Sequence, residues 1–122
     1  IDTDTEPDSS EVEEFVSNDH YYGAIRRRKD LLRKNAYVSR KIADEGWIVG
    51  YMCREEALNE NDSGWSFVAG NEDDEYINDY KNIVLMPVGA VYQRDPAIFP
   101  HVDSPVGARF VRVTADKFEP DE

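Results

Sequence analysis

At 122 residues the chain fits one domain, long enough to bury a single core and short for two. Apolar residues at 40% and charged residues at 33% suit a folded globule rather than wholesale disorder. Asp and Glu total 26 against 14 Lys and Arg, and the net charge of -12 disfavours nucleic acid and anionic lipid while favouring a basic protein partner. No run approaches the roughly 18 apolar residues of a membrane span, so nothing in the sequence points to a membrane. The lone cysteine, Cys53, forms no intrachain disulfide, and a reducing compartment, by default the cytoplasm, is the simpler expectation. The sequence opens on Ile1 rather than Met, which suggests a trimmed or mature form and leaves room for a removed leader.

From Ile1 to Asp19 there are eight acids and no Lys or Arg, and residues 1–10 read as a flexible acidic tail. Ser9 or Ser10 followed by Glu13 is a capping-box pattern that predicts a helix from about Glu11. Val12, Phe15 and Val16 keep helical spacing, and after a break at 17–23 a second helical stretch offers Ile25, Leu31 and Leu32. Residues 11–34 are therefore expected to be helical. Arg26 to Lys41 holds eight of the basic residues, with Asp30 the sole acid there. A helix face pairing with acidic neighbours inside the chain explains that run more simply than a nucleic-acid surface.

Strands are expected at Ala36–Ser39 and Trp47–Met52, both rich in aromatic and β-branched residues. Trp65–Val68, bracketed by Gly64 and Gly70, reads as a third. Ile83–Met86 is a continuous apolar run stopped by Pro87 and resembles a buried strand. After a loop or helical turn punctuated by Pro96 and Pro100, Ala108–Val113 is the fifth, and 115–122 reads as an acidic tail. Helices first and strands afterwards predict an α+β domain spanning 11–114, with a mainly antiparallel sheet of about five short strands.

Catalytic constellations find little support. His20 and His101 have no zinc-motif spacing to Cys53 or to carboxylates, so no metal is expected, and isolated glycines give no phosphate loop. Asn61-Asp62-Ser63-Gly64 lacks the flanks of a nucleophile elbow and reads as turn chemistry. Glu72-Asp73-Asp74-Glu75 lacks the spacing of a calcium loop and reads as a solvated acidic loop or, next, a protein-docking loop. No cofactor is implied.

Val38-Ser39 with Lys41, Val49-Gly50-Tyr51-Met52 with Arg54-Glu55, Asp62-Ser63-Gly64-Trp65, and Gly70 with Asp73 and Tyr76 occur in an order that resembles a bacterial family, immunity protein 33. The resemblance continues through Asp95-Pro96 and Pro105-Val106-Gly107 to Phe110 and Arg112, covering about residues 36–112. It implies a protein that protects its producer by binding a toxin of a contact-dependent or secreted polymorphic-toxin system, and it transfers no catalytic residue. Asp62, Ser63, Gly64 and Trp65 are read as a turn entering a strand whose Trp packs in the core, where its indole N–H needs a partner.

The leading expectation is thus a non-catalytic immunity protein that docks on a basic toxin surface. From Asp44 to Asp79 eleven acids face Arg54 alone, and Glu72, Asp73, Asp74, Glu75 and Asp79, with Glu55 and Glu56, are the toxin-binding candidates. Gly70, Tyr76, Asp95, Pro96, Pro105 and Gly107 join the Asp-Ser-Gly-Trp element as structural motif positions. The alternative is a regulatory or housekeeping protein-binding module. A weaker third option, a small hydrolase, requires Ser63 or Cys53 to converge with His101. The oligomeric state and the toxin are not legible in the sequence.

Overall fold

A computed structural model describes residues 23 and 25–121. The helix expected near Glu11 and the acidic tail at 1–10 lie outside the described residues. Residues 25–32 are helical (α1). They lead into β1 (Asn35–Ser39) and a short helix α2 (Arg40–Ala43), then β2 (Tyr51–Arg54) and β3 (Asp62–Val68). Helix α3 (Asp74–Asn78) and a 3-10 turn at Tyr80–Asn82 precede β4 (Ile83–Pro87). Helix α4 (Val88–Arg94) and a 3-10 segment at Pro96–His101 complete the helical elements before β5 (Arg109–Thr114) and β6 (Lys117–Pro120).

The domain is α+β, and among the described residues its sheet has six strands in the order β4-β1-β3-β2-β5-β6. The sheet is mixed, because β1 runs parallel to β3 while the other neighbours are antiparallel. The sixth strand corrects the expected count of five and falls where the sequence reads as an acidic tail. β6 pairs with β5 and buries Phe118, whose ring lies 4.6 Å beneath the Arg112 guanidinium. One buried aromatic among charged neighbours is a thin apolar pattern, which is why Lys117–Pro120 does not read as a strand.

The core lies on one face of the sheet. Ala36 and Val38 of β1, Met52 of β2 and Trp65 and Phe67 of β3 pack against Ile42 of α2, Val88 and Val91 of α4, and Ile98 and Val102 beyond it. Helix α1 joins the same side through Leu32, and Arg28 stacks on Phe99 while pairing with Asp103 at 3.0 Å. The basic run thus pairs inside the chain at Asp30, Asp44 and Asp103, of which only Asp44 belongs to the acidic middle segment.

Trp47–Gly50, expected as strand, is not one. Gly46 turns the chain with φ +80°, and the Trp47 N–H donates to the Lys41 carbonyl. At Val49 side chains do what a neighbouring strand would do. Its N–H donates to Asp95 Oδ2 at 2.9 Å, and its carbonyl accepts from Arg112 Nε at 2.7 Å. Asp95 and Arg112 also bond each other directly, both almost wholly buried. Their charges are compensated and their hydrogen-bonding capacity is used, the condition under which a buried ion pair is tolerated.

Candidate functional site

The Asp-Ser-Gly-Trp element lies within β3 rather than before it. Asn35 faces Asp62 but Tyr37 faces Ser66, so β3 carries extra residues between these pairs and bulges. Asp62 holds the bulge, accepting from Leu58 N–H at 2.8 Å and Gly64 N–H at 2.9 Å. Gly64 has φ +85°, and a Cβ there would stand 2.0 Å from the Glu55 carbonyl oxygen, so only glycine fits. The Ser63 hydroxyl donates to the Asn35 carbonyl at 2.7 Å and accepts from Trp65 N–H at 3.1 Å. Trp65 is fully buried, and its indole N–H donates to the Val102 carbonyl at 2.8 Å. Arg54 crosses from the bulge to the loop after the 3-10 segment, donating to the carbonyls of Ser63 at 2.9 Å and Ser104 at 2.7 Å.

The other motif positions also serve the backbone. Asp95 caps the 3-10 segment with Pro96 in its first turn, and Gly107, at φ +97°, donates to the Arg54 carbonyl. Pro105 accepts from Ala108 N–H at 3.1 Å. Gly70 takes φ +100° at the end of β3, and Tyr76 lies under the Lys41 ammonium, 5.2 Å from its ring centre.

The acidic candidates do not form one surface. Tyr51 pairs with Val68 and Arg54 with Trp65, so the chain beyond Val68 and the chain beyond Arg54 leave the sheet at opposite ends. Glu55 and Glu56 therefore lie at one end, and Glu72 to Asp79 at the other. Three of the latter are tied to the backbone: Glu72 accepts from Ala69 and Gly70 N–H, Asp73 from Tyr76 N–H, and Asp79 from Lys81 N–H. Burial pushes the Glu72 carboxyl up, but hydrogen bonds from the Ser39 hydroxyl and the backbone hold it, on balance, below the ordinary glutamate range. Asp74 and Glu75 sit exposed in the first turn of α3.

The nucleophiles considered from sequence do not meet His101. Ser63 is occupied as described. Cys53 pairs across β2 and β5 with Arg109, whereas His101 packs its ring 4.5 Å from that of Phe110, the next residue, on the core side. The sheet thus separates Cys53 from His101. Burial, with Glu55 nearby, pushes the Cys53 thiol up against the smaller opposing pull of Arg109. Burial and the Arg28 charge push the His101 imidazole down, with Asp103 opposing.

Opposite the core, the sheet's other face is open among the described residues. Leu85, Tyr37, Ser66, Cys53 and Arg109 line up across five strands, and Tyr51 and Val111 pair one step along. Trp47 and Ile48 project beside them, and Ile77 of α3 with Glu72 forms one end of a groove of about 910 Å³. Tyr37 is 41% exposed, Trp47 46%, Ile48 49% and Leu85 60%. Sequence reasoning missed this surface. Its signal is that β1, β2, β4 and β5 place apolar side chains on both faces, whereas among the described residues the core lies on one.

Fold and surface define a small α+β domain with a sheet packed on one side and an apolar groove on the other. The chain matches the model of the Immunity protein Imm33 domain over residues 36–122, and it belongs to that family. The match runs ten residues beyond the stretch 36–112 expected from sequence, through β6. No curated protein and no solved structure matches the chain. Membership assigns an immunity function in general and, with it, a toxin partner in general.

Proposed function

We propose that the chain protects a bacterial producer by binding and neutralising a cognate toxin of a polymorphic-toxin system, without catalysing a reaction. The family match over residues 36–122 carries this reading. The chemistry of the described residues supports it: the polar side chains with motif spacing, Asp62, Ser63, Asp95 and Arg112, are spent on the chain's own backbone. The net charge of -12 favours a basic toxin surface, and complementary charge speeds encounter more than it tightens the final complex. The lone cysteine agrees with action in a reducing compartment, the cytoplasm.

Asp74 and Glu75 are the acids of the α3 end whose side chains are exposed in the helix's first turn. The double change Asp74→Lys, Glu75→Lys leaves the caps at Asp73 and Asp79 intact. It is expected to slow association with the cognate toxin domain and to flatten its salt dependence, read by stopped-flow mixing at several ionic strengths. Unchanged rates would remove the acidic end from the encounter surface. Absence of protection by the wild-type chain, when co-expressed with that toxin domain, would remove the immunity reading itself.

A further inference from the structure

The open face of the sheet carries an apolar groove with Glu72 at one end, while at the other Arg109 and Glu55 both stand near Cys53. Its floor is built from Tyr37, Tyr51, Cys53 and Val111, with Trp47 and Ile48 on the rim. A contiguous exposed apolar surface of this kind costs solubility unless something occupies it. The alternation along β1, β2 and β5 shows that it does not arise from a misplaced register, since the residues between these (Val38, Met52, Phe110) belong to the core.

We infer that this groove is the toxin-docking surface, and that it receives an apolar projection, a loop or helix end, flanked on both sides by basic residues. The inference rests on the immunity reading. Charge selects the occupant. Glu72 closes one end of the groove, with Asp74 and Glu75 on the helix beyond it and Lys41 over Trp47 and Tyr76. At the other end Arg109 stands beside Cys53, with Glu55 and Glu56 past the end of β2, so the acids outnumber the bases. A second copy laid face to face would bring acidic ends together on two chains each carrying -12, which disfavours self-association. A basic partner turns the same ends into paired contacts around an apolar centre, the usual distribution in stable interfaces. The groove's volume of about 910 Å³ is room for several side chains rather than one.

Val111→Lys and Ile48→Lys test this against Leu58→Lys, where Leu58 is 75% exposed and does not line the groove. Each is assayed for protection and for affinity to the cognate toxin domain, with thermal melting as the check on folding. The expected result is a loss of affinity of roughly tenfold or more for the two groove variants, with melting unchanged and Leu58→Lys silent. In the wild-type complex the Cys53 thiol should react with maleimide several-fold more slowly than in the free chain. Wild-type protection that survives both groove changes, with Cys53 still reactive in the complex, would overturn the groove assignment and leave the immunity reading standing. A wild-type chain that neither binds nor protects would overturn both. Sedimentation showing a dimer that Val111→Lys dissolves would assign the face to a second copy and overturn the proposal.

Discussion

The two faces of the sheet are made from the same strands and differ in what covers them. On the core face, Trp65 and Phe67 stack with ring centres 5.9 Å apart beneath α4 and the 3-10 segment, and among the described residues no buried side-chain polar atom lacks a partner. On the open face, aromatic and aliphatic side chains of similar size face outward. The strand sequences alone do not distinguish the faces; the number and position of the helices do. Burial on one face holds the fold, and among the described residues the other face leaves apolar side chains exposed.

The sharpest way to break this contrast is Trp65→Ala, which removes the largest core side chain and strands the Val102 carbonyl. A destabilisation of about 3–5 kcal/mol is expected from denaturant unfolding, a large share of the roughly 5–15 kcal/mol that holds an ordinary domain together. A smaller and pH-dependent loss is expected for Glu72→Gln, at the junction of the two faces. The Glu72 carboxyl lies below its unfolded range, so its contribution is fully present above that range and disappears as pH falls through the folded value. Melting curves of wild type and variant should therefore converge in acid; a gap independent of pH would mean that hydrogen bonding, not charge, is what Glu72 supplies. The smallest effect belongs to the open face: Val111→Thr should change stability by no more than about 0.5 kcal/mol. A loss comparable to that of a core truncation would show that the face is covered in the free chain.

Much of the core face was legible in the sequence. Trp65 beside small turn formers announced a buried indole needing an acceptor, and the apolar runs at β1 and β4 located two strands. Ile83–Met86, however, reads as buried on both sides, whereas Leu85 points outward, because periodicity reports apolarity and not what covers it. Trp47–Gly50 misleads for a different reason. Its composition favours a strand, but the partners that claim the Val49 backbone are side chains 46 and 63 residues away. Such long-range side-chain bonds leave no local trace. The acidic candidates were legible as charge but not as geometry, since capping turns Glu72, Asp73 and Asp79 inward to their own backbone.

The clamp on Val49 also bears on the order in which the chain assembles. Residues 49, 95 and 112 must all arrive before Asp95 and Arg112 can hold that peptide unit, and closing loops of this length is entropically slow. The clamp needs three segments at once where each strand pair needs two, so it is expected to form after the β1–β4 and β2–β3 pairs, and Arg112→Lys should then speed unfolding more than it slows folding. Late contacts retard unfolding more than they speed folding. Such a latch lengthens the life of the folded chain without requiring faster folding.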